Sequence, residues 1–96
     1  MEVTIQYFDG CPNWKAAYEA VLEADPAAHI SLQKVETDED ARRLGFRGSP
    51  TILIDGTDPW ADAEAPVGLS CRVFRTESGL AGRPSTAQLA AALGPQ

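Results

Sequence analysis

Phe8-Asp9-Gly10-Cys11-Pro12-Asn13-Trp14 decides how this chain is read, because an apolar run ends there, the backbone turns, and a helical pattern begins just past a thiol. Upstream, Val3-Thr4-Ile5-Gln6-Tyr7 is rich in β-branched and aromatic residues and short enough for a buried strand. Downstream, Trp14, Ala17, Tyr18, Val21 and Leu22 recur at the spacing of an amphipathic helix. Proline suits a first helical position, since it lacks an N–H that would be unpaired there and its φ is already set. The pattern therefore puts Pro12 at the helix start and Cys11 at the N-cap. Unpaired N–H groups and the positive end of the helix dipole favour an anion at such a cap, and for a cysteine that anion is a thiolate. Cys11 is thus a candidate nucleophile, expected to titrate below the ordinary thiol value of about 8.5. The competing reading is a small, inert apolar residue at a helix start.

Working outward, 96 residues suffice for one domain with a modest core, so a single domain over 1–96 is expected. The opening Met1-Glu2-Val3-Thr4 has no basic region followed by an apolar run. No apolar stretch approaches the ~20 residues that span a bilayer, and a cytoplasmic protein is expected. Two cysteines are too few for a disulfide framework, and with no secretory signal they are expected as free thiols. A formal charge of −6 and a pI near 4.5 argue against nucleic acid or an anionic membrane as partner, because phosphate binding needs a basic stripe. Five of the six arginines fall in two groups, Arg42, Arg43 and Arg47, then Arg72 and Arg75, and of these all but Arg47 read as solvated surface.

Ala24-Asp25-Pro26 ends the first helix, and Ile30 to Val35 reads as a second strand. His29 is the only histidine; no His/Cys spacing suits a metal, and no metal site is assigned. Thr37-Asp38-Glu39-Asp40 is a helix start with its cap and first-turn acid, and Gly45 suits the left-handed stop. Ser49-Pro50 then leads into Thr51-Ile52-Leu53-Ile54, an apolar and therefore central strand turned by Asp55-Gly56. From Thr57 to Ser70 the pattern disappears, leaving a loop that is functional, packed by Trp60 and Leu69, or mobile. Cys71-Arg72-Val73-Phe74-Arg75 reads as a strand, and Ser85 with Gln88 caps a last helix closed by Gly94-Pro95.

The order strand-helix-strand-helix-strand-strand-helix, with a thiol before the first helix and Ser49-Pro50-Thr51 before the third strand, resembles the thioredoxin-like superfamily over nearly the whole chain. That resemblance implies an α/β fold, β-α-β-α-β-β-α, with a four-stranded mixed sheet flanked by three helices. It implies a cis-proline at Pro50 beside Cys11, with Ser49 offering backbone hydrogen bonds to an extended peptide or a glutathione-like thiol. Pro12, Trp14, Arg47, Ser49 and Pro50 are its substrate-binding candidates, Arg47 being placed to favour a carboxylate or the thiolate.

The chain departs from the family in having Cys11-Pro12-Asn13-Trp14 where Cys-x-x-Cys is usual. Trp14 cannot resolve a mixed disulfide, although it can begin the helix's buried stripe. The expectation is a monothiol-type thiol-disulfide oxidoreductase with Cys11 as nucleophile. It would bind no cofactor, would use glutathione or another low-molecular-weight thiol as co-substrate, and would act on a disulfide-containing protein or small thiol. Cys71 is the remaining thiol, but at the far end of an antiparallel strand it would stand roughly 15 Å away, against the ~7 Å a disulfide allows. A non-catalytic thioredoxin-like binding module is the alternative. A lesser one, opposed by the same separation, is a two-cysteine soft-metal or organomercurial-handling protein, from similarity to small bacterial proteins labelled as alkylmercury lyases, whose two cysteines and aspartate Cys11, Cys71 and Asp9 would imitate.

Overall fold

The computed structural model describes residues 2–94. Its elements are β1 (Glu2–Tyr7), α1 (Asn13–Ala24), β2 (His29–Lys34), α2 (Asp38–Leu44), β3 (Thr51–Ile54), β4 (Phe74–Thr76), β5 (Gly79–Ala81) and α3 (Thr86–Leu93). β1 is the centre of a three-stranded mixed sheet, parallel to β2 and antiparallel to β3. Alternate residues of β1 point to one face, so Val3 and Ile5 join Ile52 and Ile54 of β3 in a buried layer. Ala17, Ala20 and Val21 of α1, with Leu89 and Leu93 of α3, close over that layer. A second cluster of Val35, Ala41 and Phe46 fastens α2 beneath the sheet end.

The helix boundaries follow capping chemistry. Thr37 Oγ1 accepts from the Asp40 N–H at 3.0 Å, and Gly45 ends α2 in the left-handed region at φ 66°. Ser85 and Gln88 form a reciprocal capping box at the start of α3. At its end the Gly94 N–H bonds to the Ala90 carbonyl, and Pro95 lies outside the described residues. α1 begins one residue later than its sequence suggests. Pro12 is the N-cap, and Cys11 precedes it in a turn closed by its N–H on the Phe8 carbonyl at 3.2 Å.

The four-stranded sheet expected from the resemblance is replaced by the three-stranded sheet and a separate antiparallel hairpin, β4–β5. The reason lies at the end of β3. Ile54 and Thr57 exchange backbone hydrogen bonds around the Asp55-Gly56 turn, so the chain does not return along β3. It leaves the sheet and comes back beside Ser49, where Cys71 makes a single parallel bridge. Regular pairing begins only at Phe74, three residues later than the expected strand. Gln88 Nε2 donates to the Arg75 carbonyl at 2.7 Å and Ser85 Oγ to Glu77 at 3.0 Å, which docks the hairpin on the start of α3.

Between β3 and β4 the long loop is packed onto the fold. Trp60 lies against the main core and edge-on to buried Phe74, with ring centroids 6.0 Å apart, while Leu69 covers the Phe46 cluster. Asp58 and Asp62 each turn the backbone by accepting the N–H two residues on. Among the described residues, no helix is long and apolar enough to cross a membrane.

Candidate functional site: the Cys11–Cys71 disulfide and the Ser49 segment

The turn before α1 and the returning loop carry the two cysteines into one covalent link. Cys11 and Cys71 form a disulfide with Cα atoms 5.7 Å apart, at the usual separation for such a bond. This overturns two expectations. The cysteines are not free thiols in this state, and Cys71 is not at a remote strand end. The 15 Å estimate treated Cys71 as the first residue of a strand antiparallel to β3, whereas the loop folds back and sets Cys71 opposite Ser49. The two residues are unlike in exposure: Cys11 is wholly buried and Cys71 is exposed.

Ser49 is the backbone seat of this link. Its N–H donates to the Ser70 carbonyl at 2.7 Å and its carbonyl accepts from the Arg72 N–H at 2.8 Å, so Cys71 is held from both sides. Cys11 Sγ lies 3.6 Å from the same carbonyl. The backbone groups that Ser49 was expected to offer to an extended peptide or small thiol are thus occupied by the chain's own Ser70-Cys71-Arg72. The Ser49–Pro50 peptide bond is cis, and both residues are buried. The Ser49 hydroxyl has no hydrogen-bond partner among the described residues.

Gly48 makes this approach sterically feasible. Its φ is 124°, a region that side chains avoid, and a Cβ there would stand 2.9 Å from Arg72 Cβ and 3.2 Å from Arg72 Cα. Thr51 Oγ1 donates to the Gly48 carbonyl at 2.7 Å and fixes the bend from below.

Two arginines hold the loop that carries Cys71. Arg47, expected to face a carboxylate or thiolate, donates instead to the Ala65 carbonyl. Arg72, expected as solvated surface, pairs with Asp58 at 2.6 Å, donates to the Trp60 carbonyl, and lies 4.6 Å over the Phe74 ring. Its side chain is only 10% exposed and that of Asp58 only 16%, so this is a largely desolvated pair rather than a surface contact. Sequence reading missed it because the partners sit 14 positions apart in a segment without periodicity.

The remaining candidates are placed by their own local contacts. Trp14 stacks on Tyr7 with centroids 4.3 Å apart and packs against the main core. Pro12 is exposed at the N-cap of α1. Asp9 pairs with Lys34 at 2.7 Å, a hydrogen bond that raises the Lys34 pKa above its ordinary value. A cavity of about 400 Å³ lies between the end of α2, β3 and the loop, lined by Leu44, Thr51, Asp58, Arg47 and Arg72 among others. Neither cysteine lines it. Among the described residues, no three His, Cys, Asp or Glu side chains gather where they could hold a metal ion.

No family model matches the chain, and neither a curated protein nor a solved structure matches it.

Proposed function

We propose that this is a thioredoxin-like thiol–disulfide exchange protein whose redox pair is Cys11 and Cys71. The observation that carries the reading is the link itself: a cysteine just ahead of a helix, joined to a second, exposed cysteine brought back by a loop. With Cys71 in reach, the second thiol belongs to the chain, and the monothiol scheme gives way to a dithiol one. The arrangement of β1 with a parallel β2 and an antiparallel β3, and α1 with α3 over the core, fits the thioredoxin-like reading.

In the reducing direction, one cysteine thiolate attacks a substrate disulfide and expels one substrate thiolate. The other then attacks the mixed disulfide, expels the second, and closes Cys11–Cys71. Two electrons pass to the substrate, and a low-molecular-weight thiol such as glutathione restores the dithiol by becoming a disulfide itself.

The binding-module reading makes the same link a permanent staple, and the two differ in one measurement. Oxidised protein equilibrated with millimolar glutathione and glutathione disulfide should exchange, the folded chain passing between disulfide and dithiol forms. It should also accelerate reduction of a model protein disulfide, and removing both thiols in a Cys11→Ser, Cys71→Ser double variant should abolish that turnover. A link that stays closed in the folded protein at millimolar thiol overturns the exchange reading in favour of the staple. The soft-metal reading is no longer opposed by distance, since the 5.7 Å Cα separation lets two reduced thiols meet one ion. Tight binding of a mercurial by the reduced protein, with no disulfide turnover, is the result that would favour it.

A further inference from the structure

The cysteine expected as the nucleophile is the one solvent does not reach. Cys11 is completely buried, beneath the Ser49 carbonyl at 3.6 Å, while Cys71 is exposed on the returning loop. Exchange requires the attacking sulfur to approach one sulfur of the disulfide while the other departs, so access selects which sulfur is attacked.

We infer that Cys71, not Cys11, is the sulfur that engages an exogenous thiol or disulfide, and that Cys11 is the internal leaving and resolving thiol. The inference rests on the exchange reading above and deepens it. An incoming thiolate attacks Cys71 Sγ. The Cys11–Cys71 bond breaks, its electron pair departs on Cys11 Sγ, and that sulfur takes up a proton. A second thiolate attacks the exogenous sulfur of the mixed disulfide and expels Cys71 as a thiolate, which is protonated in turn. Two exogenous thiols become one disulfide, and one protein disulfide becomes two thiols.

The backbone around Cys71 restricts the class of partner. An extended peptide adding along Ser49 needs the Ser49 N–H and carbonyl, and these bond to Ser70 and Arg72. The Arg72 pairing with Asp58 and the Trp60 carbonyl anchors that occupant independently of the disulfide. The partner therefore meets Cys71 from the solvent side, as a small thiol or as a cysteine on an exposed loop, without adding a strand at Ser49.

The test is to treat oxidised protein with glutathione, quench with acid, alkylate the freed thiol in denaturant with N-ethylmaleimide at mildly acidic pH, then digest with trypsin without reduction. Cleavage after Lys15 and Arg72 separates the two cysteines. The expected product carries glutathione on Cys71 and N-ethylmaleimide on Cys11. Glutathione on Cys11 with alkylated Cys71 overturns this polarity while leaving the exchange reading intact. No adduct on either cysteine overturns both. As a second measurement, Cys11→Ser protein should react with glutathione disulfide at least 10-fold faster than Cys71→Ser protein, and equal rates would also overturn the assignment.

Discussion

The Arg72 guanidinium meets the Asp58 carboxylate at 2.6 Å, and the same residue's backbone N–H bonds to the Ser49 carbonyl at 2.8 Å. One residue therefore ties the position next to Cys71 both to the base of its own loop and to the segment beside Cys11. Removing one partner from a largely buried ion pair leaves the other charge uncompensated, which costs about 3 kcal/mol. Arg72→Met should lower the urea midpoint accordingly. It should also shift the glutathione equilibrium about 10-fold toward the dithiol, because the reduced Cys71 loses the anchor that keeps it beside Cys11. Tenfold corresponds to about 30 mV for this two-electron couple. An unchanged equilibrium in a folded Arg72→Met protein would show that the ion pair plays no part in positioning Cys71.

The disulfide joins residues 60 positions apart. A cross-link closing a loop of that size restricts the unfolded chain enough to contribute about 4 kcal/mol in the loop-entropy description. Reduction with dithiothreitol should lower unfolding stability by about 2 to 4 kcal/mol, and Cys71→Ser should reproduce the loss within about 1 kcal/mol. Equal denaturation curves with and without reductant would count against a substantial stabilising role for the link.

Much of the fold was legible because local chemistry and tertiary packing agree. Thr37, Gly45 and Ser85 occupy the capping positions their types predict, and Val3, Ile5, Ile52 and Ile54 alternate into the core. The pairing of the fourth strand was not legible. Cys71-Arg72-Val73 has strand composition, but its pairing is set by Ser49 and Asp58, contacts that local sequence does not encode. The site shared that fate. Cys11 was visible from its helix, whereas the return of Cys71 depended on a loop whose anchors, Arg47 to Ala65 and Arg72 to Asp58, have no periodic signature.

Gly48 tests the close approach of the two segments. At φ 124°, any side chain is strained, and the added Cβ would also press on Arg72 at 2.9 Å. Gly48→Ala should cost about 2 kcal/mol and should raise the dithiol fraction at a fixed glutathione ratio, because the Arg72 backbone has to retreat from Ser49. Gly56→Ala is the control. Its φ of 85° is also unfavourable to alanine, but nothing lies within 4 Å of its Cβ position. It should therefore lose stability without shifting the redox equilibrium. A similar redox shift in both variants would separate that shift from contact with Arg72.

Trp14 distinguishes a packing residue from a substrate-binding one. Its stacking on Tyr7 and contact with the core predict that Trp14→Ala costs about 2 to 3 kcal/mol by lost burial. Trp14→Phe should recover most of that loss. Glutathione exchange at Cys71 should stay within about 2-fold of the parent rate in both variants, since the ring's contacts are with Tyr7 and the core. A Trp14→Phe protein of near-parent stability with strongly slowed exchange would return Trp14 to the binding surface.

Acid should act on the start of α2. The hydrogen bond from Arg43, joined by one from the Glu36 backbone, holds the Asp40 carboxyl below its ordinary 3.8. A carboxyl whose folded pKa is depressed contributes stability that is fully present above the unfolded value and is lost as pH falls through the folded one. Asp40 should therefore support α2 at neutral pH and lose that contribution progressively as pH falls from its ordinary 3.8 through the lowered folded value, with a small amplitude because the pair is solvent-exposed. Asp40→Asn keeps an oxygen for the backbone N–H of Glu36 but has no charge to lose, so its stability should fall less steeply between pH 5 and about pH 2 than the parent's. Lys34 behaves in the opposite sense: its pKa is raised by Asp9, so that contribution is present below 10.5 and is lost as pH rises through the raised value. Unfolding curves at successive pH values for the parent, Asp40→Asn and Lys34→Met proteins separate the two limbs. Superimposable acid limbs for parent and Asp40→Asn would exclude Asp40 as the group responsible.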